Sequence, residues 1–417
     1  MRVRRSIALA FAVGGQGAGT ASAEPAPVPS PWKVQVGGYV QADAIVSNQA
    51  SVNELDTSGA PMNQTRFLIR RARVRLDVAR SFVWGAVELD ANTVEGIHAG
   101  LTEADIGVAW KGEAAREPAS ARAALGMFKI PFGMEVPERD PDRFFLERTT
   151  MSRALFPGSY DLGARADGSF GPLCAVIAVM NGNPTADRFL PARDPNSEKD
   201  IIGRLGVETE VTRSVKLRLG FSALEGTGFH PGNPSTKDVL VWRDVNENGR
   251  VESTEIQAIA GSAAVPSQNF DRFAVGADLR ITADMPWLGA LQLSGEVLSA
   301  SNLDRAVQPA DPVSMGRDVQ EVGYYVGITQ ELTQHAMIGL RYDHYGPDTD
   351  GAEQRGVALV PLDSSYSTVA IAAAARFPPA RLIVEYDFNE NALGRSTAGI
   401  PTTLASNQLA IRGEVVF

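Results

Sequence analysis

The sequence has few of the residues that build metal, redox or hydrolytic centres. Its 417 residues include one cysteine, Cys174, and four histidines. A single cysteine excludes an internal disulfide and any zinc site built on paired cysteines. No two histidines stand at metal-ligand spacing, and no signature of a Ser-His-acid triad is present. The sequence therefore gives no support to zinc-dependent or triad chemistry.

Long apolar runs and an excess of positive charge are also missing. After the N-terminus, no stretch approaches the roughly 18 uninterrupted apolar residues that a transmembrane helix needs. There are 39 Lys and Arg against 49 Asp and Glu, which gives a formal net charge of −10. A net negative charge argues against a nucleic-acid partner. Mean hydropathy is only −0.09, which fits a chain whose strands place apolar residues on one face and polar residues on the other.

Residues 1–23 are predicted to be a cleaved secretory signal. Arg2, Arg4 and Arg5 give a positive start, residues 7–13 form a short apolar run, and Ala-Ser-Ala at 21–23 is a small-residue cleavage site. The alternative is an uncleaved N-terminal tether. Cleavage would remove three positive charges and no negative ones, so the mature charge would be −10 − 3 = −13.

Apolar and polar residues alternate along the rest of the chain, as in a strand with two different faces. In one example, Val74 and Leu76 alternate with Arg73 and Arg75. The predicted strands are 33–46, 66–79, 82–91, 100–110, 121–130, 160–169, 172–181, 199–210, 214–224, 270–282, 289–300, 318–332, 335–345, 365–376, 379–388 and 406–417. Most have ten or more residues, enough for a tilted strand to cross a bilayer.

The connections between these strands alternate between long and short. An antiparallel transmembrane barrel with short periplasmic turns and long external loops has this parity. The fold class predicted is therefore an all-β outer-membrane barrel of about 16 strands over 33–417, preceded by a short periplasmic lead at 24–32. The last segment alternates and ends in Phe417, which resembles the C-terminal strand of bacterial outer-membrane proteins; an ordinary edge strand is the alternative.

Two segments fit this pattern poorly. Residues 172–180 and 369–375 are apolar on both faces. In a barrel, the second apolar face of such a strand must be covered. The cover is predicted to be either a neighbouring subunit or a loop folded into the barrel.

Charged residues on the alternate face of each strand are predicted to line the pore. They are Arg71, Arg73, Arg75, Glu88, Asp90, Lys129, Arg165, Arg204, Lys216 and Arg218. Arginines two residues apart lie about 7 Å from one another on one face of a strand and can bind phosphate with two hydrogen bonds. The same arginines could instead form cross-strand ion pairs with nearby acids, so both interpretations stay open.

Residues 244–255, DVNENGRVESTE, match the pattern of a calcium-binding loop in full. The expected ligands are Asp244, Asn246, Asn248, Arg250 through its carbonyl oxygen, Glu252 and Glu255. The segment falls in the longest predicted external loop. Calcium there would order the loop; the alternative is a solvated turn rich in Asp and Asn.

Several short motifs resemble the phosphate-selective porin O and P family. They are GMFKIPFG at 126–133, Glu-Arg at 147–148, Phe-Pro-Gly at 156–158, Asn-Gly at 181–182, FLIRRARVRLDV at 67–78 and DIIGRLGVETE at 200–210. The resemblance implies a sixteen-stranded barrel, a homotrimer and a constricted pore. It also implies that Arg71, Arg73 and Arg75 are wall arginines and that Lys129 is a pore lysine.

The predicted function is passive diffusion of small polar solutes across an outer membrane, with anions such as phosphate as candidates. The protein is not expected to be an enzyme. Two other functions stay open: an outer-membrane barrel hydrolase, and a secreted, soluble calcium-binding β protein.

Overall fold

The structure, a computed structural model, describes residues 31–49, 54–57, 59–111, 120–187 and 190–417. Sixteen antiparallel strands form one closed barrel, as predicted. In chain order they are β1 Lys33–Ser47, β2 Arg66–Arg80, β3 Val83–Asn92, β4 His98–Lys111, β5 Ser120–Lys129, β6 Tyr160–Phe170, β7 Leu173–Met180, β8 Asp200–Thr212, β9 Val215–His230, β10 Gln268–Asp284, β11 Ala290–Ser301, β12 Gln320–Thr333, β13 Ala336–Gly346, β14 Tyr366–Phe377, β15 Ala380–Asn391 and β16 Gln408–Val416. The predicted signal at 1–23 and most of the 24–32 lead lie outside the described residues.

Closure of the barrel joins the two ends of the chain. Strand β1 pairs with β16, with Tyr39 opposite Val416 and Ser47 opposite Gln408. No barrel strand is left with an open edge, so the backbone groups of every strand find partners within the sheet. Among the described residues, no helix is both long enough and apolar enough to cross a bilayer.

The two faces of the strands differ as the alternation predicts. Val74, Leu219 and Val384 lie on the outer face and are 50%, 43% and 39% exposed. Their inward neighbours Arg73 and Glu385 are buried. A soluble barrel would turn polar residues to the outside, whereas this outer face suits hydrocarbon.

Short and long connections fall on opposite rims. The two-residue connections are 81–82, 171–172, 213–214, 334–335 and 378–379. The connections on the other rim are 48–65, 93–97, 130–159, 181–199, 231–267, 302–319, 347–365 and 392–407. The connection at 93–97 is shorter than expected, but successive connections still alternate between the two rims. Three of them carry small hairpins, which pair Val239–Trp242 with Ile256–Ile259, Ala352–Arg355 with Ala358–Pro361, and Gly394–Arg395 with Pro401–Thr402.

One long connection, residues 130–159 between β5 and β6, folds into the barrel. It contains a 3-10 turn at Asp140–Asp142 and a short helix, α1, at Thr150–Leu155. Its apolar side chains form a core with the barrel wall. We call this connection, residues 130–159, the inward loop. The residues that it contributes to the core are Ile130, Phe132, Met134, Val136, Phe145, Leu146, Met151, Ala154, Leu155 and Phe156.

The inward loop explains the two strands that are apolar on both faces. Ala178 and Met180 of β7 belong to the core that contains Phe156. Ala370 and Ala372 of β14 pack on Phe145. Of the two predicted covers, the structure therefore shows a loop folded into the barrel.

Candidate functional site: the charged constriction of the barrel

The inward loop is attached to the wall on several sides of the lumen. The hydroxyl of Tyr39 on β1 donates to Asp140 Oδ2 at 3.0 Å. The main-chain N–H of Leu146 donates to Glu385 Oε2 on β15 at 3.0 Å. On β9, Ser222 Oγ accepts from the main-chain N–H of Gly133 at 3.0 Å. Because β9 lies across the closed barrel from β1 and β15, the loop crosses the lumen and narrows it.

Arginines of the wall hold the loop's main chain as well. Arg341 on β13 donates to the carbonyl oxygen of Glu147 at 3.0 Å. Arg381 on β15 donates to the carbonyl oxygen of Arg143 at 3.0 Å. Hydrogen bonds from charged donors are stronger than those from neutral donors. The loop is thus fixed by directional contacts in addition to apolar packing.

Glycines in the wall make room for the loop's bulky side chains. A Cβ atom on Gly339 of β13 would lie 2.4 Å from Cε1 of Phe144. A Cβ atom on Gly323 of β12 would lie 2.5 Å from Cβ of Met151. Protein interiors are packed too densely to absorb such overlaps without movement. These glycines therefore let the loop lie directly against the wall.

The three arginines predicted to form an anion path are all engaged by carboxylates. Arg71 binds both oxygens of Glu147, at 3.2 and 3.0 Å. Arg73 binds Glu88 at 3.2 Å and Asp140 at 3.0 Å. Arg75 binds Glu103 at 2.9 Å. The arrangement fits the ion-pair interpretation, and the partners come both from the wall and from the inward loop.

Two acids of the inward loop, Asp140 and Glu147, stay ionised in this setting. Burial raises the pKa of the Asp140 carboxyl, but Arg71 and Arg143 outweigh burial, and the pKa lies well below its ordinary value. Glu147 behaves in the same way: burial raises its pKa, and Arg71, Arg70 and Arg412 bring it well below the ordinary value. Both carboxylates therefore cancel positive charge of the wall at neutral pH.

The remaining predicted pore residues on β3, β5, β6 and β8 also have partners. Asp90 lies 3.5 Å from Arg73. Lys129 donates to the carbonyl oxygen of Glu138, and Arg165 lies 3.4 Å from Asp105. Arg204 binds Asp278 through both of its terminal nitrogens. Much of the wall charge is thus neutralised pair by pair.

Arg218 differs from the other predicted arginines. It lies on the inner face of β9, directly opposite Arg280 of β10. Lys216 precedes it on the same face and lies 3.3 Å from Glu210. Arg280 binds Glu138 of the inward loop at 2.7 Å. Arg218 faces Glu208 of β8 in the register, yet makes no ion pair among the described residues. Its Nε, like that of Arg280, is buried without a hydrogen-bond partner there.

A facing pair of arginines is a place where an anion can bind. Like charges directly opposite one another in a sheet destabilise it. An oxyanion or halide between the two guanidinium groups would reduce this repulsion and accept hydrogen bonds from the free Nε–H groups. We call Lys216, Arg218 and Arg280 the basic patch.

A Ser-His-Asp contact occurs at the external rim of the barrel, at the end of β9. His230 Nε2 lies 3.4 Å from both Asp311 Oδ2 and Ser314 Oγ. His230 Nδ1 accepts from the main-chain N–H of Gly232 at 3.0 Å, so Nε2 carries the proton in the neutral ring. A protonated Nε2 cannot take the proton of Ser314. Asp311 instead caps α2, Pro312–Met315, by accepting from the main-chain N–H of Ser314.

The sequence does not predict the acids of the inward loop, because the alternation of connections places residues 131–159 in an external loop. Strand parity states on which rim a connection starts, but not whether it turns inward. A usable signal was the apolar content of the segment, with Phe132, Met134, Phe145 and Leu146 in a connection expected to face water. The predicted metal ligands, by contrast, lie in the external connection between β9 and β10, apart from the constriction.

A closed sixteen-stranded barrel with an apolar outer face, a charged inner wall and a loop folded into the lumen is the architecture of outer-membrane β-barrel proteins. No family model and no curated protein matches the sequence. Several solved structures, however, resemble its fold. The outer membrane channel DcaP of Acinetobacter baumannii is 11% identical, with a TM-score of 0.54 over 93% of this chain and 97% of that one.

Two further structures resemble the chain over similar lengths. OmpT of Vibrio cholerae, an outer membrane protein in its trimer form, is 9% identical, with a TM-score of 0.51 over 93% of this chain and 99% of that one. An anion-selective porin from Comamonas acidovorans is 11% identical, with a TM-score of 0.50 over 93% and 100%. At such identities the likeness shows the fold alone, a closed barrel of the outer-membrane type.

Proposed function

We propose that the chain is a passive channel for small polar solutes that prefers anions. The observation that carries the proposal is the basic patch on the wall beside the inward loop. Arg218 and Arg280 face each other across β9 and β10, and the Nε of each is buried without a partner among the described residues. Fixed positive charge at a narrow point raises the local concentration of anions.

The paired arginines have a different part in this proposal. Arg71 and Arg73 hold the inward loop through Glu147 and Asp140, and thereby set the width of the passage. Selectivity then comes from the basic patch, in which Arg218 has no ion-pair partner among the described residues and Arg280 shares its charge with Glu138. This separation of roles explains how a chain with a net charge of −10 can favour anions locally.

The finer details extend the same proposal. Phosphate is a candidate solute, since planar guanidinium groups bind its oxygens in pairs and the sequence resembles the phosphate-selective porin O and P family. A homotrimer in the bacterial outer membrane is the proposed assembly, supported by the trimer form described for OmpT. Mass measurement of the purified chain in detergent tests the trimer.

Ion selectivity in a planar bilayer tests the main proposal. With the purified chain in a potassium chloride gradient, we expect a reversal potential of the sign that chloride current gives. Arg218→Ala should lower the ratio of anion to cation permeability, because it removes one of the two facing charges. Arg193→Ala, an exposed arginine of an external loop, is the matched control and should leave the ratio unchanged. Equal or cation-favouring permeability in the unmodified chain contradicts the proposal.

A further inference from the structure

The longest described external connection, residues 231–267, carries a compact loop on a hairpin. Strands Val239–Trp242 and Ile256–Ile259 pair with Trp242 opposite Ile256. The main-chain N–H of Arg243 donates to the carbonyl oxygen of Glu255 at 3.1 Å. The ends of the segment between them are thus held together, so residues 244–255 form a closed turn of chain.

Asp244, the first residue of this turn, organises its backbone. Its Oδ1 accepts from the main-chain N–H of Asn248 at 3.0 Å, and its Oδ2 accepts from that of Gly249 at 2.7 Å. Gly249 has a φ of +70°, a conformation that favours glycine. The sixth position of a calcium-binding loop needs glycine for the same sharp turn.

The last residue, Glu255, is turned back onto the start of the loop. The 3-10 turn Ser253–Glu255 brings its carboxylate inward, and the residue is only 9% exposed. Its Oε1 accepts from the main-chain N–H groups of Val245 and Asn246, at 3.1 and 3.3 Å. A carboxylate at the twelfth position of such a loop supplies two oxygens to calcium.

The middle of the loop gathers further oxygen donors. Glu252 accepts from the side-chain amides of Asn246 and Asn248, at 3.3 and 2.8 Å. Rotating each amide by half a turn would replace its NH₂ group with its oxygen. Positions 3 and 5 of the calcium pattern are therefore joined to position 9, while positions 1 and 12 bind the main chain of the same turn.

A second observation is independent of this geometry. Asp244, Glu252 and Glu255 bear three negative charges within twelve residues, and within the described part of the chain none of them is in an ion pair. In the barrel wall, by contrast, nearly every buried carboxylate discussed above has an arginine partner. The described residues include no group of three or more His, Cys, Asp or Glu side chains arranged to hold a metal, so asparagine and main-chain oxygens would have to complete any cation site here.

We propose that residues 244–255 bind one calcium ion. Asp244, Asn246, Asn248, Glu252 and Glu255 supply side-chain oxygens, and Arg250 supplies its carbonyl oxygen. Binding draws the acidic side chains inward and makes the hairpin and its loop rigid at the external mouth. The expected Kd is roughly 10⁻⁴–10⁻³ M, the range of extracellular calcium modules. The inference does not depend on solute selectivity, since the loop lies outside the constriction.

Calorimetric titration of the whole chain in detergent, after removal of metal with a chelator, tests the proposal. We expect one calcium site and weaker binding of magnesium, which requires a more regular octahedral shell. Glu255→Gln should raise the Kd by roughly tenfold or more, because a bidentate anionic ligand becomes neutral. Glu353→Gln, in the hairpin of another external connection, is the matched control and should bind calcium as the unmodified chain does.

Limited proteolysis with trypsin gives a second readout that does not depend on the heat of binding. Calcium should slow cleavage after Arg243 and Arg250 in the unmodified chain and in Glu353→Gln, but not in Glu255→Gln. Bilayer conductance checks that each variant has folded. The proposal is overturned if the unmodified chain shows no calcium binding, if magnesium binds equally well, or if folded Glu255→Gln binds and is protected as well as the unmodified chain.

Discussion

At the scale of single residues, Glu147 is an acid on which three wall arginines converge. Its carboxylate binds Arg71 at 3.0 Å and Arg412 at 2.8 Å, and lies 3.4 Å from Arg70. One negative charge thus offsets part of three positive charges where the inward loop lies against the wall. Both the position of the inward loop and the local charge therefore depend on the side chain of Glu147.

Glu147→Gln should therefore change selectivity and stability together. We expect greater anion preference, because three guanidinium groups lose part of their compensation. The loss of stability should be smaller than the roughly 3–5 kcal/mol of a fully buried pair, because the side chain is 27% exposed. Reversal potential and thermal melting measure the two effects, and Glu353→Gln on an external hairpin is the control. Unchanged selectivity with an intact fold would show that Glu147 does not set the charge of the passage.

At the scale of elements, the inward loop is fitted to the wall at a few small residues. Gly339→Leu would place a side chain where Phe144 now lies, since even a Cβ atom comes within 2.4 Å of that ring. We expect the loop to shift and single-channel conductance to change or become noisy, while the barrel persists. Gly413→Leu is the matched control, because nothing lies within 4 Å of a Cβ atom there. Identical conductance of the two variants would contradict the fit.

The sequence predicts the strands well for a physical reason. Each strand meets two solvents, so Val74 and Leu76 must alternate with Arg73 and Arg75, and this signal is local. The inward loop depends on contacts that are distant in sequence, such as Leu146 with Glu385, separated by 239 positions. No local pattern encodes such a contact. The segments 172–180 and 369–375 are apolar on both faces, which indicates only that an apolar surface covers their inner face.

Pairing of the arginines was open at the sequence level for the same reason. Acids on neighbouring strands, such as Glu88 and Glu103, could be foreseen as partners of the run on β2. Asp140 and Glu147 could not, because they come from the loop. Arg218 is the exception, because no acid among the described residues forms an ion pair with it. The sequence alone does not reveal this difference.

At the scale of the whole molecule, the apolar outer face is the property on which membrane insertion depends. Val74 is 50% exposed on the outside of β2, between two inward arginines. Val74→Arg would place a charge against hydrocarbon, at a cost of roughly 2–4 kcal/mol near the bilayer midplane. The same substitution at Val357, a fully exposed residue of an external hairpin turn, places the charge in water and should cost little. Denaturant unfolding in lipid vesicles, with the folded fraction read from gel mobility, compares the two. Equal stability of Val74→Arg and Val357→Arg would mean that this face does not meet lipid, and the channel assignment would lose its physical basis.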